Sequence, residues 1–252
     1  MTSSKVIILT GASRGIGLAI AQYLLRESHK VLLVARTAEP LEKLKSDFPR
    51  QVEFVAADLA DFSIGGKAID LCLQKFGCID GLIINHGTLS PVKRISESTQ
   101  EEWRSAFDVN FFSALSFVKA ALPALRQSKG RIILTSSGAS VSAYSTWGAY
   151  GASKAALNHM ALTLTVEEPD ITTVAIRPGV VDTEMQKEVR GHASVMDDKD
   201  VEKFKALHEQ GKLLRPEQPG YVMARLSLGA GRELSGKLWN WNDKELSSFQ
   251  DT

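Results

Sequence analysis

Apolar residues fall along this chain in short unbroken runs, separated by stretches with three- to four-residue periodicity. KVIILT (5–10), VLLVAR (31–36), VEFVAA (52–57) and GLIINH (81–86) are such runs, and residues 15–28, 39–48 and 61–76 between them read as helices. Strands that lack polar alternation are buried on both faces, so the pattern predicts an α/β chain with a doubly wound parallel sheet and helices on both sides. The second half continues with a long helix over about 99–126, the strand RIILTS (131–136), a helix containing Tyr150, the strand ITTVAIRP (171–178), a helix near 217–228 and a last strand around KLWNW. The rhythm breaks at about 182–215, which is charged, poor in apolar periodicity and set directly after a strand end. It is expected as an irregular substrate-loop insertion at the carboxyl edge of the sheet, where ligands of open α/β sheets bind, and so either as a lid over the site or as a solvated excursion without function.

Composition narrows the picture. With 252 residues and 44% hydrophobic content the chain fills one core and hardly two, so one domain is expected over 1–252. Thirty basic against twenty-nine acidic residues, with no block of like charge, exclude a nucleic-acid or anionic-membrane surface. Cys72 and Cys78 have no zinc spacing and the five histidines form no ligand pair, so we expect no metal and a reducing compartment. The opening MTSSKVIILTG is too short for a signal core, no apolar run reaches the roughly 20 residues of a membrane span, and SFQDT is not a peroxisomal address. A cytoplasmic location follows as the expectation.

TGASRGIG (10–17) joins the first strand to the first helix. Gly11, Gly15 and Gly17 stand where a tight turn, a close approach of backbone to phosphate and a close helix–strand contact each forbid a side chain. The spacing is G-x-x-x-G-x-G, and the strand–turn–helix context makes it a dinucleotide site. An acid at the end of the second strand would mark NAD through the ribose hydroxyls. This strand ends in Val34, Ala35 and Arg36, so Arg36 and Arg14 instead offer a clamp for a 2′-phosphate, which favours NADPH. Asp58 and Asn85 close the third and fourth strands, and each either contacts adenosine or caps the following turn.

Tyr150 and Lys154 share one helix face. An ammonium beside a phenol lowers its pKa from near 10, toward proton transfer at neutral pH. Ser136 and Ser137 end the preceding strand at the same sheet edge, where a hydroxyl can hold a carbonyl oxygen. Asn110 interrupts an apolar stripe of the long helix that includes Trp103, Phe107, Ala114 and Val118. A buried amide needs partners: it is either satisfied by backbone or anchors a water leading to Lys154.

Together, TGASRGIG, Asp58, Asn85 with Gly87, Asn110, Ser137, Tyr150-x-x-x-Lys154 and RPGVVDT (177–183) resemble the short-chain dehydrogenase/reductase family over about residues 5–185. The resemblance implies a Rossmann-type fold of about seven strands. Tyr150 would be the acid/base, Ser137 would bind the substrate oxygen, Lys154 would hold the nicotinamide ribose and tune Tyr150, and Asn110 would complete a proton relay. The implied cofactor contacts are Gly11, Ser13, Arg14, Gly15, Ile16, Gly17, Arg36, Asp58, Leu59, Asn85, Gly87, Tyr150, Lys154, Pro178, Val181 and Thr183. One departure is His86, where the family commonly has a small residue.

Within the family, Ala35–Arg36, SAYSTWGAYGASKAALNH and SGKLWNWND are similar to fungal benzil reductase-like dicarbonyl reductases and, more distantly, to sepiapterin reductase. The resemblance implies an NADPH-dependent reductase of aromatic or vicinal dicarbonyls, working as a homodimer or tetramer. Tyr144, Trp147, Met185 and Trp239 would wall its substrate pocket. Asn240 stands where a pterin reductase would carry an acid, which argues against a pterin. The alternatives are a pterin or other specialised ketone reductase and, from another class, an NADP(H)-sensing protein without turnover.

Overall fold

The computed structural model describes residues 4–250. Seven strands form one parallel sheet: β1 (Val6–Thr10), β2 (Lys30–Ala35), β3 (Val52–Ala56), β4 (Gly81–Ile84), β5 (Arg131–Thr135), β6 (Thr172–Arg177) and β7 (Leu238–Asn240), in the order β3-β2-β1-β4-β5-β6-β7. The unbroken apolar runs of the inner strands are explained by burial on both faces, whereas the edge strand β3 is only partly buried. Val6 and Ile8 of β1 enter a core built with α3 (Ser63–Phe76), α5 (Ser113–Ser128) and α6 (Gly148–Glu167). Ile7 and Leu9 enter a second core with α1 (Gly15–Arg26), α2 (Glu39–Asp47) and α9 (Glu217–Gly229). Side chains alternate between faces, and each face meets its own layer of helices.

Strand order reverses between β1 and β4, the two halves diverging from there. Such a switch point opens a crevice beyond the strands' carboxyl ends. The turn that opens α1 and the segment after β4 both lie there.

Two expected elements differ. The single helix over about 99–126 is instead α4 (Gln100–Phe107), a π-helical turn over Asp108–Phe112 and α5. Its start is fixed by a capping box between Thr99 and Glu102. The stretch 182–215 is not irregular: it contains α7 (Glu184–Gly191) and α8 (Asp198–Glu209). The excursion is pinched at its base, where Leu214 N donates to Val180 O and Asp182 N donates to Leu214 O. Val189, Met196 and Phe204 from this excursion pack on Trp147 and Tyr150 as a third apolar cluster, so α7 and α8 close over the cleft.

Candidate active site

A cleft of about 1060 Å³ runs along the carboxyl edge of the sheet, from Arg36 and Asp58 at one end to Tyr144, Trp147 and Phe204 at the other. Its first half is shaped by glycines. Gly11 and Gly15 have positive φ, and a Cβ on Gly17 would stand 2.1 Å from the Gly11 carbonyl oxygen, so that position admits no side chain. Ser13, Arg14, Gly15 and Ile16 line the cleft, while Gly17 packs beneath the turn. No side chain caps the N-terminus of α1, which leaves its first amides facing the cleft as an anion-binding end.

Arg14 and Arg36 are both exposed on the rim, and Arg36 makes no hydrogen bond or ion pair with another described residue. Asp58 caps its own turn by accepting from Ala60 N at 3.0 Å, and with Leu59 it lines the same end. Asn85 ties strands together: its backbone N donates to Thr10 Oγ1 at 3.0 Å, its Nδ2 to Gly11 O at 3.2 Å, and its Oδ1 accepts from Thr135 Oγ1 at 3.3 Å. Pro178, Val181 and Thr183 line the middle, with Thr183 also capping α7 through Gln186 N and resting on Gly15.

At the far end, Tyr150 and Lys154 rise from the start of α6, 7% and 3% exposed. The Lys154 ammonium donates to Thr135 O at 2.9 Å and lies 6.0 Å from the Tyr150 ring centre. Burial without a counter-charge lowers its pKa to about 8. The phenol departs from expectation. Its pKa is raised, not lowered, because enclosure disfavours phenolate more than a hydrogen bond with Ser137 favours it. A phenol that keeps its proton at neutral pH is suited to giving one to an oxyanion as it forms.

Of the two serines after β5, Ser136 is engaged with Asn158 Oδ1 at 2.6 Å. Ser137 Oγ accepts from Ala139 N at 3.1 Å, which leaves its own proton free to face the phenol and the cleft. Asn110 is fully buried inside the π turn. Its amide accepts from Thr88 N at 2.8 Å and donates to Thr88 O and Ser153 Oγ at 3.0 Å each. Protein groups satisfy the amide, and it clamps the turn after Gly87 beside Lys154.

Tyr144, Trp147 and Met185 line the substrate end, and Asn240 reaches it from β7 with its Nδ2 tied to Asp243 Oδ1 at 2.9 Å. Trp239 does not reach it. The strand pairing sets Trp239 opposite Ile176, so it faces the α9 core and donates Nε1 to Leu234 O at 3.0 Å. The place we assigned to Trp239 in the pocket is taken by Phe204 of α8, stacked on Trp147 at 5.5 Å and 16°. Tyr144 lies 4.9 Å from Trp147, and Tyr150 meets the same indole edge-on at 6.0 Å. Phe204 was legible only as the one aromatic in a charged stretch, three residues after Val201.

The family model for short chain dehydrogenases matches residues 5–194, and the chain belongs to this family. It is 42% identical to benzil reductase ((S)-benzoin forming) of Saccharomyces cerevisiae, over 98% of this chain and 99% of that one. The crystal structure of another short chain dehydrogenase/reductase from the same yeast superposes with a TM-score of 0.95 at 38% identity, covering 98% of this chain and all of that one. An alcohol dehydrogenase from Thermococcus sibiricus, solved with 5-hydroxy-NADP, has a TM-score of 0.69 at 29% identity, with 84% and 92% coverage. The protein is therefore an oxidoreductase of the short-chain type with relatives that reduce benzil. No helix among the described residues is long and apolar enough to cross a membrane.

Proposed function

We propose that the protein is an NADPH-dependent carbonyl reductase acting on aromatic or vicinal dicarbonyl compounds. The observation that carries this reading is the meeting, in one cleft, of a protonated phenol, a buried ammonium and a wall of three aromatic rings. The glycine cradle and the open end of α1 fit a pyrophosphate. Arg14 and Arg36 fit a 2′-phosphate, in keeping with the NADP analogue bound by the Thermococcus relative. A bound nicotinamide would supply hydride to the carbonyl carbon. This chain's part is to hold the carbonyl oxygen with Ser137 and transfer the Tyr150 phenol proton to it, so that one ketone becomes one secondary alcohol. Lys154 orients the ribose and keeps a positive charge beside the reacting oxygen. Phe204, Trp147 and Tyr144 exclude water and give aryl groups flat surfaces, each such contact adding about 0.5–1.5 kcal/mol beyond area.

A cytoplasmic location and a homodimer complete the proposal. The exposed apolar side chains Phe112, on the π turn between α4 and α5, and Leu162 and Val166, on α6, would supply the contact.

The test is a steady-state comparison of benzil with deoxybenzoin, the matched monoketone, using NADPH and NADH. We expect benzil with NADPH to be the preferred pair by at least about tenfold; preference for the monoketone or for a pterin overturns the substrate class. Arg36→Ala separates the cofactors, because a guanidinium paired with a 2′-phosphate matters only when that phosphate is present. NADPH should weaken by more than about tenfold, some 1.4 kcal/mol, with NADH within about twofold. Equal losses for both would remove the phosphate clamp.

Phe204→Ala tests the aromatic wall. The KM for benzil should rise about tenfold or more, while that for diacetyl, which has no ring to stack, changes little. A uniform rise for both would mean that Phe204 acts only by holding α8 closed.

A further inference from the structure

His86 is the residue that departs from the family pattern, and the proposed chemistry leaves it unused. Its ring is buried at the point where β1, β4 and the π turn converge. Nε2 lies 3.0 Å from the Val109 carbonyl oxygen and Nδ1 lies 2.8 Å from Thr10 Oγ1. The Val109 carbonyl can only accept, so Nε2 carries the proton and Nδ1 presents its lone pair to the Thr10 hydroxyl. That hydroxyl in turn accepts from Asn85 N. Burial and the nearby Lys154 charge hold the imidazole neutral, its pKa lowered to about 3.

The bond to Val109 has a specific consequence. The Val109 carbonyl belongs to the same planar peptide as Asn110 N, so gripping it fixes the orientation of that peptide within the π turn. Such turns interrupt the regular helical ladder and recur at functional sites, where they aim a particular side chain. Here the aimed side chain is Asn110, whose amide holds both the N–H and the C=O of Thr88. A Cβ on Gly87, at the head of that turn, would stand 3.2 Å from both Asn110 Oδ1 and Lys154 Nζ. A continuous path of contacts therefore runs from the imidazole through the Val109–Asn110 peptide and the Gly87–Thr88 turn to the ammonium.

We propose that His86 is a positioning residue: as a neutral donor to Val109 it sets the π turn, and through Asn110 it shapes the buried seat in which Lys154 lies. This rests on the reading of Lys154 as part of a reductase centre. A small residue at 86 would leave the Val109 carbonyl without this donor and release the π turn that carries Asn110. Gln places its amide nitrogen as far from the Cβ as Nε2 is and so preserves the donor to Val109. Asn reaches only the Thr10 position.

The experiment compares His86→Ala, His86→Asn and His86→Gln in the full chain. Kinetics with NADPH and benzil are paired with NMR titration of Lys154 in carbon-labelled protein, and a melting curve shows that each variant is folded. In the wild type the lysine should titrate near 8. We expect Ala and Asn to lower kcat at least about tenfold and to move the Lys154 titration to higher pH, as the ammonium becomes less enclosed. Gln should keep kcat within about threefold and leave the titration in place. Equal behaviour of Asn and Gln, or an unmoved titration in the Ala variant, overturns the proposal, because a purely structural residue would lower the melting temperature without shifting Lys154. A wild type that reduces no carbonyl compound would instead overturn the reductase reading, and the titration alone would then decide the role of His86.

Discussion

Tyr150→Phe is expected to lower kcat for a vicinal diketone by about a hundred- to ten-thousand-fold while leaving NADPH affinity within about threefold. The ring is retained, and with it the edge-on contact to Trp147 and the packing in the third apolar cluster. Only the hydroxyl is lost. Because that phenol is held protonated by its buried setting, it is the group that the proposed reaction uses to give a proton to the carbonyl oxygen as hydride arrives at carbon. Ser137 can donate a hydrogen bond to that oxygen, but its pKa is too high to replace the acid. Steady-state kinetics beside a fluorescence titration of NADPH separate the two quantities, and near-normal turnover would move the acid elsewhere.

Lys154→Met should cost about a hundredfold or more in kcat and about tenfold in NADPH affinity, because in the proposed reaction one ammonium serves both the ribose and the reacting oxygen. The same substitution carries a stability signature with a definite sign. The unfolded chain holds this proton up to the ordinary value of 10.5, whereas the folded protein releases it at about 8. Between those values the unfolded state binds more protons, so wild-type stability rises with pH from about 8 to 10.5. Below about 8 the buried charge costs stability in full. The variant has no such group, so the stability of wild type relative to the variant should improve across that window and stay flat below it. Chemical denaturation over the pH series measures the slope, and a constant difference would mean that Lys154 is not desolvated.

The cleft edge of the sheet was legible because its residues answer to local rules. The unbroken aliphatic runs of β1 and β2 fit strands buried on both faces, and the glycines of TGASRGIG are required by turns that exclude a Cβ, as the contacts around Gly17 make plain. What the sequence hid depends on contacts between distant elements. Helices α7 and α8 were read as irregular because most of their few apolar residues, among them Met185, Val189, Val201 and Phe204, serve the cleft and not the core. The helical signal in that stretch is therefore too short to stand out. The π turn at Asp108–Phe112 changes the helix by one residue without any proline or glycine to announce it. Trp239 was misplaced by one step of strand alternation: its neighbour Asn240 reaches the cleft, and the indole faces the opposite layer. The direction of the Tyr150 shift was also missed. Position i+4 shows that a lysine is near, but only the fold shows that it turns to Thr135 and that the phenol is enclosed.

The central claim, that this cleft performs a reduction and does not merely bind the nucleotide, is tested most directly by a single turnover. Protein loaded with one equivalent of NADPH is mixed with excess benzil, and the nicotinamide absorbance is followed together with the product. The account predicts that one equivalent of NADPH is consumed and one of benzoin appears, with the wild type fast and Tyr150→Phe slower by the factor given above. NADPH that binds tightly yet persists unoxidised in the presence of benzil and the other dicarbonyls would contradict it, and would make the protein a nucleotide sensor built on a reductase fold.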